Sequence, residues 1–173
     1  NSVIPHRWIA CARYLSAQIT TAAYPPPVRL LISIVAHSGD SLVWLLIGSI
    51  LWARQAAGAR TLGTRIWLTV LVTSVLSFAL KQLFRRQRPS VSARGFYHAV
   101  DRYSFPSGHA VRIGALTIVL SAVLPIGAVA SLILWSLLVC ASRIALQVHF
   151  VRDVGVGLLL GWGAGLLLIF AGV

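Results

Sequence analysis

Three short patches in this chain hold residues whose types and spacing suit chemistry on an anion. They are Lys81 to Arg88, then Pro106-Ser107-Gly108-His109, then Ser142-Arg143 followed by His149 and Asp153. Each interrupts a segment otherwise suited to lipid. Cationic and imidazole groups are costly at such a boundary and are kept there for function. A phosphate carried on a lipid is the charged group that fits them best.

Lys81, Arg85 and Arg88 fall at i, i+4 and i+7, so a continued helix would carry them on one face. Pro89 discourages helix at Arg88. For Arg85 and Arg86 a basic cuff meeting lipid headgroups serves as well, whereas Lys81, the only lysine, lies a turn deeper. Ser107 is placed as an N-cap. The free N–H groups of Gly108 and His109 would then stand at the positive end of a helix dipole, a ready anion site, and Gly108 lets an oxyanion approach the backbone. A plain capped helix start would explain Pro-Ser-Gly alone. His149 and Asp153 lie one helical turn apart, so the carboxylate can hold one imidazole nitrogen and leave the other as nucleophile or base. A satisfied structural pair is the alternative. Arg143 offers a planar fork of donors for phosphate oxygens.

Composition says what must position these groups. Of 173 residues, 58% are hydrophobic and 10% charged, and the mean hydropathy is +0.85. A soluble domain is about a quarter charged, so the natural solvent here is a bilayer. The formal net charge is +12, glutamate is absent, and the acids are Asp40, Asp101 and Asp153. So few carboxylates cannot easily build a hard-metal cage or a paired-carboxylate glycosidase. No metal, cofactor or nucleic-acid partner is expected; the expected partners are a lipid phosphate and membrane lipids. Cys11 and Cys140 suggest small apolar fillers rather than a disulfide framework.

A spanning helix needs about 20 mostly apolar residues. Five such segments are expected, over 40–53, 65–84, 107–124, 128–146 and 150–170, the last rich in glycine for close packing in lipid. Residues 1–36, with Trp8, Tyr14 and Pro25-Pro26-Pro27, suggest interfacial helices along the membrane surface. The fold class is therefore all-α, an integral membrane helical bundle over residues 37–173. Its connectivity brings all three patches to one membrane face.

Taken together, Lys81-x6-Arg88-Pro89, Pro106-Ser107-Gly108-His109 and Ser142-Arg143-x5-His149-x3-Asp153 resemble the three-part signature of the type 2 phosphatidic acid phosphatase family. That family includes lipid phosphate phosphatases, undecaprenyl diphosphate phosphatases and soluble vanadium haloperoxidases. Every signature position is matched, across residues 81–153; residues 1–64 carry no signature. The resemblance implies that His149 attacks phosphorus to give a phosphohistidine, with Asp153 holding its ring. His109 would protonate the leaving alkoxide and then activate water. Lys81, Arg88, Ser107, Gly108 and Arg143 would neutralise the phosphate oxygens, as phosphoryl transfer requires. The phosphatase branch works without metal.

Arg112 departs from the commonest pattern, in which a small residue follows His109 by three, and resembles the presqualene diphosphate phosphatase-like branch. It would clamp a second phosphate or a polar headgroup, or serve as partner to a backbone carbonyl or to Asp153. It tilts the expected substrate toward an isoprenoid phosphate, with a phosphatidate-type glycerolipid next. A phosphotransferase using the same residues and a non-catalytic lipid-binding or transport bundle are the rivals. The expected location is a bacterial inner membrane. Arg7, Arg13, Arg29, Arg94, Arg102 and Arg152 on the site face, against Arg54, Arg60 and Arg65 opposite, lean that face toward the cytoplasm.

Overall fold

A bilayer offers backbone groups no partner, so apolar segments of this composition close their hydrogen bonds inside helices. The computed structural model describes residues 24–54, 56–88 and 103–173. Within them run six helices: α1 (Pro26–Ser38), α2 (Ser41–Ala53), α3 (Ala57–Phe84), α4 (Gly108–Ser121), α5 (Ile126–Ala145) and α6 (Val151–Phe170). The expected all-α membrane bundle is the observed class. Most of the expected ends agree within a few residues, and Pro125 caps α5 where the expected turn lies. Helix α3 starts eight residues earlier than expected, drawing Arg60 into its first turn.

By length and composition α3, α5 and α6 can cross a membrane, and α1 with α2 forms a fourth apolar unit bent by 57°. The third expected span, α4, has only 14 residues, about 21 Å at 1.5 Å per residue. It does not need to meet lipid along its length, because it is the buried centre of the bundle: Val111, Ile113, Ala115, Leu116 and Val119 are fully enclosed. Residues 1–23, and with them most of the expected interfacial region, lie outside the described residues; the expected boundary at residue 36 falls inside α1.

Helix α4 packs most closely on α6, and three glycines spaced four apart make that possible. A Cβ on Gly157 would stand 2.9 Å from the Ser107 carbonyl, one on Gly165 2.9 Å from the Ala115 carbonyl, and one on Gly161 would collide with the Val111 carbonyl. Gly155 and Gly163, on the other side of α6, face open space. This is the small-residue packing of membrane helices. Helices α2 and α3 approach in the same way, Gly63 lying against the Gly48 carbonyl.

The ends of α3 and α5 and the starts of α4 and α6 meet at one end of the bundle, as the connectivity implied. The α2–α3 turn and the end of α6 lie at the other, where Arg60, Arg65 and Gly172 line a cleft. The cytoplasmic lean of the site face loses its support here. Nothing in the structure or its packing supports it, and Arg7, Arg13, Arg94 and Arg102, most of the count, lie outside the described residues.

Candidate active site

Helix α3 brings the first cation. Lys81 is buried in its last turn, and the helix then stops because Arg85 takes a left-handed conformation, φ 45°. Arg86, Gln87 and Arg88 continue as non-helical chain. The expected shared helical face of Lys81, Arg85 and Arg88 is therefore not formed. Arg85 turns its Nε to the Gln82 carbonyl at the surface, while Arg88 reaches the site from the loop.

Ser107 caps α4 by position, and its own N–H donates to the Asp153 carbonyl at 3.0 Å, tying the starts of α4 and α6 together. A Cβ on Gly108 would lie 3.9 Å from Lys81 Nζ and 3.8 Å from Ser77 Oγ, so the lysine faces the free end of α4. Ser107 Oγ and Ser77 Oγ are both buried without a hydrogen-bond partner among the described residues. Two orphaned hydroxyls beside an ammonium and a helix N-terminus are costly unless an anion supplies acceptors.

The last patch departs from its sequence description. Helix α5 ends after Arg143, and Gln147 turns the chain with φ 54°. His149 therefore precedes α6 instead of lying on it, with Phe150 as the N-cap. Asp153, at the third helical position, turns back to the cap: its Oδ2 accepts the Phe150 N–H at 3.1 Å. Its Oδ1 takes Arg86 Nη1 at 2.5 Å, and the Arg86 guanidinium lies over the Phe150 ring. The expected grip of Asp153 on the His149 ring is absent, because one helical turn of spacing places two residues on one face only when both are in the helix.

The His149 ring is held instead by the Ser104 carbonyl, 2.8 Å from Nδ1. A carbonyl can only accept, so Nδ1 carries the hydrogen and Nε2 keeps its lone pair. Burial first, and then the nearby charges of Arg143, Lys81 and Arg88, hold the His149 pKa well below its ordinary value. Both causes favour the neutral ring, the form a nucleophile needs. Ser104 is itself fixed by its N–H to the Arg86 carbonyl, 2.8 Å, and by its hydroxyl to the Gln87 carbonyl, 3.0 Å.

His109 Nε2 lies 2.6 Å from Asp40 Oδ1, and the other carboxylate oxygen of Asp40 lies 2.9 Å from His37 Nδ1. Arg112 donates from Nη1 to the Gly39 carbonyl at 2.9 Å. Of the two roles anticipated for Arg112, the observed bond is that of partner to a backbone carbonyl. No group of three or more His, Cys, Asp or Glu able to hold a metal occurs among the described residues.

Four residues around the site were not anticipated as site residues: Asp40, Ser77, Arg86 and Ser104. Ser77 was within reach, one turn before Lys81 on the same face. Asp40 carried a weaker signal as one of three acids in a lipid-suited chain. Ser104 acts through its backbone, which no side-chain pattern reports.

Residues 62–171 match the model of the PAP2 superfamily, well over half of the chain. The chain belongs to the PAP2 superfamily. Two solved structures share its fold. LpxE of Aquifex aeolicus is 26% identical, with a TM-score of 0.71 over 89% of this chain and 92% of that one. The first transmembrane PAP2 type phosphatidylglycerolphosphate phosphatase of Bacillus subtilis is 23% identical, with a TM-score of 0.75 over 96% and 86%. The PAP2 signature thus sits on the fold of a transmembrane PAP2 type protein, and the protein is an integral membrane member of the superfamily.

Proposed function

We propose that this protein is a metal-independent lipid phosphatase working through a phosphohistidine. His149 Nε2 attacks phosphorus as the bond to the lipid oxygen breaks, and the leaving oxygen takes a proton from His109. Water, giving a proton back to His109, then attacks the phosphohistidine and releases inorganic phosphate. Lys81, Arg88, Arg143, the Ser107 hydroxyl and the Gly108 N–H stabilise the phosphate oxygens in both steps. Asp153 acts one step removed: it anchors Arg86 and the Phe150 cap, and so the loop that carries His149.

The observation that carries this reading is the setting of His149: buried, with Nδ1 committed to Ser104 and three cations close by. A non-catalytic lipid-binding bundle would have no use for a nucleophile prepared in this way. An isoprenoid phosphate is the substrate class we favour, followed by a phosphatidate-type glycerolipid; the bond from Arg112 to Gly39 weakens the case for a diphosphate clamp. The membrane is proposed to be a bacterial inner membrane.

The test is phosphate release by the purified protein from phosphatidate, phosphatidylglycerol phosphate, and isoprenyl mono- and diphosphates. His149→Ala should reduce the rate on the preferred lipid by at least about 10³-fold while the variant still inserts and unfolds at the wild-type temperature. Turnover retained by the folded variant would remove His149 as nucleophile. Phosphate passed to an added lipid alcohol in preference to water would make the protein a transferase.

A further inference from the structure

The pair Ser38–Gly39 between α1 and α2 is clamped from two other helices. Arg112 of α4 holds the Gly39 carbonyl, and Trp135 of α5 donates its indole N–H to Ser38 Oγ at 2.8 Å. A Cβ on Gly39 would stand 2.8 Å from Val139 Cγ1 and 3.1 Å from His109 Cδ2, so the backbone presses directly against the imidazole edge. The next residue is Asp40, whose carboxylate bridges His109 and His37. Gly39 leaves room for the ring, and Arg112 and Trp135 keep the backbone from withdrawing.

We propose that Asp40 is the positioning residue of His109, the part assigned to Asp153 on sequence being played for the other histidine by a residue outside the signature. An ionised carboxylate only accepts, so His109 Nε2 keeps its hydrogen on Asp40 and Nδ1 is the nitrogen that exchanges protons. In the first step His109, made imidazolium by the proton that a monoanionic phosphate brings in, passes Nδ1–H to the leaving lipid oxygen as the P–O bond breaks, and the ring becomes neutral with Nε2–H still on Asp40. In the second step Nδ1 takes a proton from the attacking water, and the imidazolium that forms is stabilised by the Asp40 charge. His37, largely exposed, holds the far oxygen of Asp40 and so limits rotation of the carboxylate. This rests on the phosphatase reading above.

A defect in proton donation is visible only when the leaving group needs a proton. Purified wild type and Asp40→Asn are compared on a lipid alkyl monophosphate and on p-nitrophenyl phosphate, whose phenolate leaves unaided. Read in a single turnover as the rate of leaving-group release, which isolates the first step, Asp40→Asn should slow the alkyl ester by about 10- to 100-fold and the aryl ester by less than about 3-fold. His109→Gln should show the same selectivity, and the double variant should lose little more than either single one. Equal losses on both esters, or none on the alkyl ester, would overturn the proposal. Should Asp40→Asn fail to fold, Asp40→Glu retains the carboxylate and His37→Gln alters only an exposed side chain. Both should then slow the alkyl ester selectively, and an unselective change in both would overturn the proposal. Wild type that cleaves neither ester would overturn the phosphatase reading instead.

Discussion

Each histidine of the site has one nitrogen committed to a partner that only accepts, a carbonyl for His149 and a carboxylate for His109. The other nitrogen in each ring keeps a defined role. Asp153 was the obvious partner for His149 in the sequence, and it is engaged elsewhere because His149 sits in the turn before α6. The ion pair it makes with Arg86 is buried on the carboxylate side, and removing one partner from such a pair leaves a buried charge uncompensated. Arg86→Ala should therefore cost about 3 kcal/mol of stability, while Arg85→Ala, at the exposed helix end, should cost less than about 0.5 kcal/mol. Thermal unfolding of both variants in detergent measures the difference. Equal shifts would mean that the Arg86–Asp153 pair does not support the fold.

Among the elements, the α4–α6 contact decides where the chemistry sits. The start of α4 carries the N–H groups proposed to bind the anion, and the glycine seam of α6 holds its Ser107 cap against Asp153. The sequence showed this seam as a glycine-rich helix but not which glycines form it, since five are present and only Gly157, Gly161 and Gly165 face α4. Gly161→Leu would push a side chain into the Val111 carbonyl and should destabilise by at least about 1–3 kcal/mol. Gly163→Leu, toward open space, should change stability by less than about 0.5 kcal/mol. Thermal unfolding and size-exclusion profiles separate the two, and similar behaviour would contradict the seam. The broken pair α1–α2 is the second element with consequences, since its interruption at Gly39 and Asp40 is what admits an acid to the bundle beside His109.

At the scale of the whole molecule, charge is scarce and each described carboxylate is engaged. Asp40 lies between two histidines and Asp153 against Arg86, and no glutamate exists. A reaction that disperses charge over phosphate oxygens can be served by cations, hydroxyls and a helix N-terminus without a metal. Phosphate release should therefore be unchanged in EDTA. Vanadate should inhibit it competitively by taking the trigonal-bipyramidal geometry of the transferring phosphorus at His149. Dependence on added Mg²⁺ together with insensitivity to vanadate would contradict the mechanism.

The sequence by itself determined the membrane class, most of the helix ends and the three patches that carry the family signature. Those features are local: apolar length sets a span, proline sets a boundary, and residue type at a fixed spacing makes a motif. Only the tertiary structure decided who holds whom. Ser104 reaches His149 across 45 residues, Arg86 reaches Asp153 across 67 and Asp40 reaches His109 across 69. Such pairings follow from how helices pack and where turns leave them, and no spacing along the chain encodes that.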